Sequence, residues 1–454
     1  MPSAGSSQPD IGFVTEPARQ TPVREDVDVL VVGGGAAGLA AAVSAVRNGA
    51  RVLLVERYGF LGGTLTNVTL GSICGMYTID GDEIMQVAGG FVAELVERLK
   101  KAGGANGPLR WLETASMPYD APTLRLVADE IIDECGIRVS FHAAAVGVMK
   151  DGSRVSGVIF EDRAGRWAAR ARTVIDCTGN GDIAAHAGAA FEYDPALLQA
   201  PTTMFRFAGV DTERASGITR AELHDRLERA VEAGLQLPRT AGGMFSPRPG
   251  VMHLNITRVS RDGAPPDLLD SDDLAWAEME GRRQLALYEQ AFRRFVPGFE
   301  DCYIADIGAE IGIRESRRVR GDYWLELNDV LNEARFDDAI ACSAWPVEEH
   351  SAGRATRWVF LKPGTYYQLP FRIMLPRGIE GLLVAGRCAS ASHDAHASMR
   401  VAATCMAMGE AAGVAAAFAS RERLALRDID VAAVQARLLE QGAFLGNHIS
   451  ERTL

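Results

Sequence analysis

The sequence predicts an α/β protein: a dinucleotide-binding domain on a parallel sheet, discontinuous in the chain, with an inserted α+β domain for a substrate. Three observations predict it. Residues 28–57, "DVLVVGGGAAGLAAAVSAVRNGARVLLVER", read as strand, glycine turn, small-residue helix and strand. A second buried-strand run, "GLLVAG" (381–386), lies far downstream and precedes another small-residue helix. Between them, "TTMFRFAGV" (202–210) and "GVMHLNITRV" (250–259) alternate as antiparallel strands do. At 454 residues the chain also exceeds one ordinary core.

The first unit is a Rossmann-like one. The apolar run Val27–Val32 suits a strand buried on both faces, and Gly33, Gly35 and Gly38 follow in GxGxxG spacing. Gly33 allows the tight turn, Gly35 leaves bare backbone for a pyrophosphate, and Gly38 lets the helix lie close to the strand. The helix expected over 36–47 points the N–H groups of Ala36 and Ala37 at the phosphates. Glu56 ends the second strand 18 residues beyond Gly38, placed to accept from ribose hydroxyls and to disfavour a 2′-phosphate. Then comes "RYGFLGGTLTN" (57–67), where Gly62 and Gly63 let backbone approach a bulky ligand again, beside Arg57 and Thr64. An extended FAD needs this second approach and NAD does not.

With these residues the sequence resembles the FAD-dependent oxidoreductases of the glutathione-reductase-like superfamily, the flavoproteins with two dinucleotide-binding domains. Further segments carry the resemblance in the family's order. "ARTVIDCTGNGDIAAHAGAAFE" (171–192) looks like its strand-to-turn segment, which implies that Thr178, Gly179 and Asp182 return to the FAD. "EIGIRESRRVRGDYWLELNDV" (310–330) and the long stretch 366–413 match as well, the latter implying FAD contacts from Gly386, Arg387, Arg400 and Val401. The expected division is an N-terminal extension, partly disordered, over 1–25 and a first FAD-binding part over 26–195. A substrate domain over 196–371, a second FAD-binding part over 372–424 and a helical tail over 425–454 follow.

The chemistry is expected in "AGRCASASHDAHASMRV" (385–401). His396 and Arg400 are spaced similarly to the "HGxNR" element of fumarate reductase and succinate dehydrogenase flavoproteins, whose arginine holds a substrate carboxylate. Ala397 and Met399 stand where that element has glycine and asparagine. The resemblance makes Arg400 an anion clamp or general acid and sets His396 at the flavin's reactive face; alternatively Arg400 serves the reduced, anionic cofactor. His393 is a general-base candidate or a hydrogen-bonded loop residue, since imidazole titrates near working pH. By resemblance His350, in "AWPVEEHSAG" (344–353), reaches the cavity, and Tyr366 and Arg372 hold substrate, flavin or only the fold. Arg314 and Glu315 belong to a salt-bridged surface or point inward; His253 and Asn255 share a strand face that lines the cavity or an edge; Cys74 is a thiol near the flavin or a buried spectator.

Composition narrows the function further. The net charge of −12 and the lack of a basic patch argue against nucleic acid as a partner. No metal-ligand spacing occurs, and seven scattered cysteines without CxxC read as reduced thiols of a cytoplasmic protein. The first 25 residues lack a signal-peptide core, and 402–419 is too weakly hydrophobic to be an integral membrane segment. The middle segment shows no second GxGxxG–acid unit. The expected activity is therefore hydride transfer between a small polar organic substrate and FAD, as a dehydrogenase or oxidase. Electrons would pass on to oxygen, a quinone, an electron-transfer protein or transiently bound NAD(P)H. The alternatives are reduction of a C=C bond, or an electron-transfer subunit without its own substrate.

Overall fold

The computed structural model describes residues 12–351 and 355–446. The expected disorder therefore falls partly outside the described residues, as does the end of the expected helical tail, 447–454; residues 12–22 carry no helix or strand.

The main sheet grows from the strand Val23–Val32. It pairs in parallel with Val52–Val55 on one side and Gly165–Asp176 on the other, and Arg138–Ser140 extends it beyond Val52–Val55. The free edge of Gly165–Asp176 is shared. Its first half, Gly165–Arg170, pairs antiparallel with Arg154–Asp162, and its last residues, Val174–Asp176, pair in parallel with Leu382–Val384. The sheet is thus mixed, with Ala144–Asp151 and Arg154–Asp162 forming an antiparallel flank. The late strand Leu382–Val384 joins a sheet begun more than 300 residues earlier because all three of its residues are apolar and fully buried.

Helix Ala36–Arg47 packs against helix Ala402–Glu422 backbone to backbone. A Cβ at Gly409 would lie 2.0 Å from the Ala37 carbonyl oxygen, and one at Gly413 would lie 2.3 Å from that of Ala41. Only glycine permits this approach. Helix Ala402–Glu422 is long and apolar enough to cross a membrane (mean hydropathy 1.4), which corrects the reading of it as too weakly hydrophobic. Within the protein 89% of that window is buried, the condition of a core helix.

A second core surrounds an antiparallel sheet in the order Gly243–Arg248, Val251–Asn255, Phe205–Ala208, Tyr303–Ile307, whose two middle strands are those the alternating segments predict. Helices Arg220–Glu232 and Ser271–Phe295 contribute Leu227, Tyr288 and Phe292 to it, against Phe205 and Phe207. Val319, Leu325, Ile340 and Tyr367, inside the expected substrate segment, pack instead into the main core. A third sheet, of four strands, Glu83–Gln86, Ser72–Asp80, Thr114–Pro118 and Leu109–Trp111, has no counterpart in the sequence reading. The sequence predicts a helix over 84–101 in this stretch; the structure forms it over Phe91–Lys101, after Gly90 at φ +60°.

Candidate FAD and substrate site

Where the main sheet, the second sheet and the third sheet meet, a cavity of about 350 Å³ opens. One end of it is a cradle of main chain. Gly33, at φ +97°, turns the chain so tightly that a Cβ would stand 2.5 Å from the Cys177 carbonyl oxygen. Gly35 caps helix Ala36–Arg47 without any side-chain hydrogen bond, so the helix's first N–H groups face the cavity beside Ala36 and Ala37. A Cβ at Gly35 would meet only the Gly63 Cα, at 3.7 Å, and would otherwise stand in the open space of the cavity. Glu56 accepts from the backbone N–H of Gly34 at 2.6 Å and of Tyr58 at 2.9 Å. Burial raises its carboxyl pKa in spite of those donors.

The other predicted cradle residues gather at the same end. Arg57 lines the cavity and pairs with Glu310 at 2.7 Å, and Gly63 and Thr64 lie alongside. Across the opening, the Thr178 hydroxyl donates to Asp176 at 2.7 Å and accepts from the Asp182 N–H at 3.0 Å, with Gly179 between them. Arg387 donates to the Asn180 side chain at 2.8 Å, beside Gly386. Val401 and Ala402 present the N-terminus of helix Ala402–Glu422, again without a side-chain cap. Two predicted residues sit behind the wall. A Cβ at Gly38 would fall 1.7 Å from the Gly33 carbonyl oxygen, and Gly62 donates its N–H to Gly34 at 2.8 Å, so both shape the cradle without facing it. A bare pyrophosphate path, two uncapped helix N-termini and a buried acid where a ribose belongs fit FAD.

The opposite end is built from side chains. Arg400 donates to Gln199 at 3.3 Å and to the Glu348 carbonyl at 3.2 Å. Arg314 points inward, donating to the Ala200 carbonyl at 2.7 Å, to Thr202 and to Asn255 at 3.3 Å. Burial lowers the pKa of both guanidinium groups. Glu348 accepts from His350 Nε2 at 2.8 Å and from Trp345 Nε1 at 3.1 Å. Burial alone would push its carboxyl up, but His350, Arg400 and Arg314 outweigh burial and keep it ionised. His350 itself is driven well below the usual imidazole range by burial. The Thr356 hydroxyl, which accepts from Arg258 at 3.0 Å, meets His350 Nδ1 at 3.2 Å. This network assigns the proton to Nε2 and leaves neither ring nitrogen free.

The other candidate bases are elsewhere. His396 does not reach the cavity: it is fully buried, with Nε2 on the Arg387 carbonyl at 2.8 Å, and burial lowers its pKa to about 3. His393 also lies off the wall, bonded to Glu315 at 2.9 Å; burial opposes its charge, but Glu315 raises its pKa. Both corrections have one cause. The short helix His393–Met399 turns its histidines toward the Arg387 backbone and Glu315, and only Arg400, at its C-terminal end, turns into the opening. His253 is buried and stacks on Phe245, while its strand neighbour Asn255 lines the cavity. Tyr366 donates to the Gly446 carbonyl at 2.7 Å and Arg372 pairs with Asp338 at 2.9 Å, neither at the site. Cys74 lines the cavity, and burial raises its thiol pKa.

The sequence reading missed Glu348, Trp345, Trp111, Trp358, Arg220 and Arg239, all on this wall. Two of them stand in the very loop "AWPVEEHSAG" that was read for its histidine. The signal available there was an acid two residues before His350 in a tryptophan-bearing segment.

A model of the family described as FAD dependent oxidoreductase matches residues 28–438. Over 51 residues the chain is 55% identical to sarcosine oxidase subunit alpha of Corynebacterium sp. (strain P-1), which is 11% of this chain and 5% of that protein. Over 46 residues it is 50% identical to glutathione reductase of Schizosaccharomyces pombe (strain 972 / ATCC 24843), 10% of each chain. These matches thus span a tenth or less of the curated relatives. Among solved structures, a geranylgeranyl bacteriochlorophyll reductase-like protein of Thermoplasma acidophilum aligns at 14% identity and a TM-score of 0.47, covering 92% of this chain and 84% of its own. The p-nitrophenol 4-monooxygenase of Pseudomonas putida DLL-E4 aligns at 14% identity and a TM-score of 0.42, covering 91% and 81%. With the family model spanning both cores and the cradle fitting its cofactor, the chain belongs to the FAD-dependent oxidoreductase family.

Proposed function

We propose that the protein is a dehydrogenase or oxidase that takes hydride from a small, polar, negatively charged organic substrate. The observation that carries this reading is the wall facing the cradle, where Arg220, Arg239, Arg314 and Arg400 line the cavity with the ionised Glu348. FAD, when bound, supplies a hydride acceptor at N5. Arg314 and Arg400 bind and orient the substrate's anionic group, each already fixed by hydrogen bonds to neutral acceptors. Glu348 takes the proton released from the substrate's hydroxyl or amino group, and His350 acts as a positioning residue that fixes Glu348 from behind. The uncapped N-terminus at Val401 favours negative charge developing at the cofactor end. Electrons leave to oxygen, a quinone or an electron-transfer protein, and the seven unpaired cysteines support a cytoplasmic setting.

A second reading, reduction of an activated C=C bond, is favoured by one feature. Burial lowers the Arg400 guanidinium pKa, which eases proton donation to a carbanion-like product. Anaerobic mixing of the holoenzyme with pooled hydroxy acids, amino acids, alcohols and amines tests both readings. Bleaching of the flavin band by an acid pool is expected. If no pool bleaches it, and dithionite-reduced protein is reoxidised anaerobically by 2-enoates, the second reading replaces the first.

A further inference from the structure

The charge at the side-chain end of the cavity is one-sided. Arg314 and Arg400 make their hydrogen bonds to neutral oxygens of Ala200, Thr202, Asn255, Gln199 and the Glu348 main chain. The Glu348 carboxylate stands 4.0 Å from Arg400 and accepts one hydrogen bond on each oxygen, from His350 and Trp345. Among the described residues, the Arg220 and Arg239 side chains have no carboxylate within ion-pair distance and no hydrogen-bond acceptor; Arg220 lies 5.9 Å from the Trp111 ring centroid. Four guanidinium groups therefore face one carboxylate. The other two cavity arginines, Arg57 and Arg387, are engaged at the cradle by Glu310 and Asn180. Arg314 is buried and Arg220, Arg239 and Arg400 are half-buried, and burial lowers the pKa of all four. With Glu348 answering one of the four, a singly charged substrate leaves two cations without a counter-charge and a doubly charged one leaves only one, and each unanswered charge withdrawn from water is costly.

Two further features describe the ligand. Buried on the cavity wall, Arg400 Nε and Trp358 Nε1 have no hydrogen-bond partner among the described residues. Both are donors, so the missing partner is an acceptor. Beside them Trp111 and Trp345 lie parallel (centroids 6.3 Å, 2° between planes), and Trp358 stands edge-on to Trp111 at 5.0 Å and 64°. Three indoles in such an array, with Phe245, offer flat apolar faces and edges to another ring.

We infer that the substrate is a dianion on a flat apolar ring, one anionic group answered by Arg314 and Arg400 and the other by Arg220 and Arg239, with the ring against the tryptophans. This inference rests on the reading of this wall as the substrate side, and deepens it. The pairs follow from their supports: Arg400 and Arg314 are held by the consecutive residues Gln199 and Ala200, while the His224–Thr240 hydrogen bond ties the helix that carries Arg220 to the residue next to Arg239.

The test is binding rather than turnover. The oxidised holoenzyme is titrated with isophthalate, benzoate and glutarate, none of which is oxidised, while the flavin absorbance band is followed. Isophthalate should bind at least about tenfold more tightly than benzoate, which lacks the second charge, and than glutarate, which lacks the ring. Arg239→Gln and Arg220→Gln should each raise the isophthalate Kd about tenfold and move that of benzoate less than about threefold, with FAD content unchanged. Equal affinity for benzoate and isophthalate, no spectral response to isophthalate, or equal losses for all three probes in the variants would overturn the inference. Isophthalate binding without bleaching by any substrate pool would leave the dianion site standing and end the dehydrogenase reading. Bleaching by uncharged or singly charged substrates alone would do the reverse.

Discussion

At the cradle end of the cavity the wall is main chain: Gly33, Gly35, Gly63 and the N-termini of two helices, with glycine wherever a Cβ would block the ligand or the turn. At the far end the wall is side chains, arginines and tryptophans delivered by a strand at 109–111, a helix from 220, and the segments around 314, 345, 358 and 400. The difference separates two physical tasks. A dinucleotide is bound by N–H groups and helix ends that tolerate no side chain. A substrate is chosen by charge and shape, which only side chains supply. Substitutions at the two ends should therefore fail in different ways.

The largest effect is expected behind the cradle. Gly38→Ala drives a Cβ to 1.7 Å from the Gly33 carbonyl, an atom of the backbone that cannot yield. It should cost more than ~3 kcal/mol of stability, read as a lowered urea midpoint or insoluble expression. At the other end, Arg400→Ala should slow flavin reduction by about a hundredfold, ~3 kcal/mol, while FAD content stays stoichiometric. Loss of FAD without a slowed reduction would move Arg400 to the cofactor and blur the comparison.

A third region sharpens it by belonging to neither end. Glu410, on the long core helix, accepts the Phe91 N–H at 3.0 Å, and burial pushes its carboxyl up to about 7. The folded protein then holds a proton that the unfolded chain releases near the ordinary glutamate value of 4.5, so stability falls as pH rises from about 4.5 to about 7 and stays lower above. Glu410→Gln should remove that slope and stabilise the protein at pH ~8 by about 3 kcal/mol, read from urea midpoints at pH ~5 and ~8. Flavin content and reduction should not change. The smallest effect is expected at His396. His396→Gln keeps a donor for the Arg387 carbonyl and should alter flavin reduction less than about threefold. A collapse of activity would return His396 to the chemistry.

The contrast between the ends also explains what the sequence made legible. Gly33, Gly35, Glu56 and Gly63 lie within one contiguous stretch whose spacing is dictated by backbone geometry, and Thr178, Asp182, Arg387 and Val401 came from resemblance. The main sheet was readable as buried apolar runs, including the distant Leu382–Val384. Nothing local marks Arg220 or Arg239. Each looks like an ordinary arginine on a polar helix or in a turn until two sheets are packed against one opening. The histidines misled for a related reason: spacing places His396 and Arg400 one helical turn apart but does not say which residue turns toward the cavity. The helix expected from Ile84 begins only at Phe91 because Glu83–Gln86 pairs with Ser72–Asp80, a strand partner that no local pattern reveals.

The central claim is that the glycine-built end seats FAD while the arginine-built end does not. The flavin-to-protein absorbance ratio of purified Gly35→Val, beside wild type and Arg400→Ala, tests it most directly. The Cβ of a valine at residue 35 meets only the Gly63 Cα, at 3.7 Å, and the residue lines the cavity, so folded protein without flavin is predicted, with full flavin in the other two. Stoichiometric FAD in Gly35→Val, or its loss in Arg400→Ala alone, would contradict the assignment.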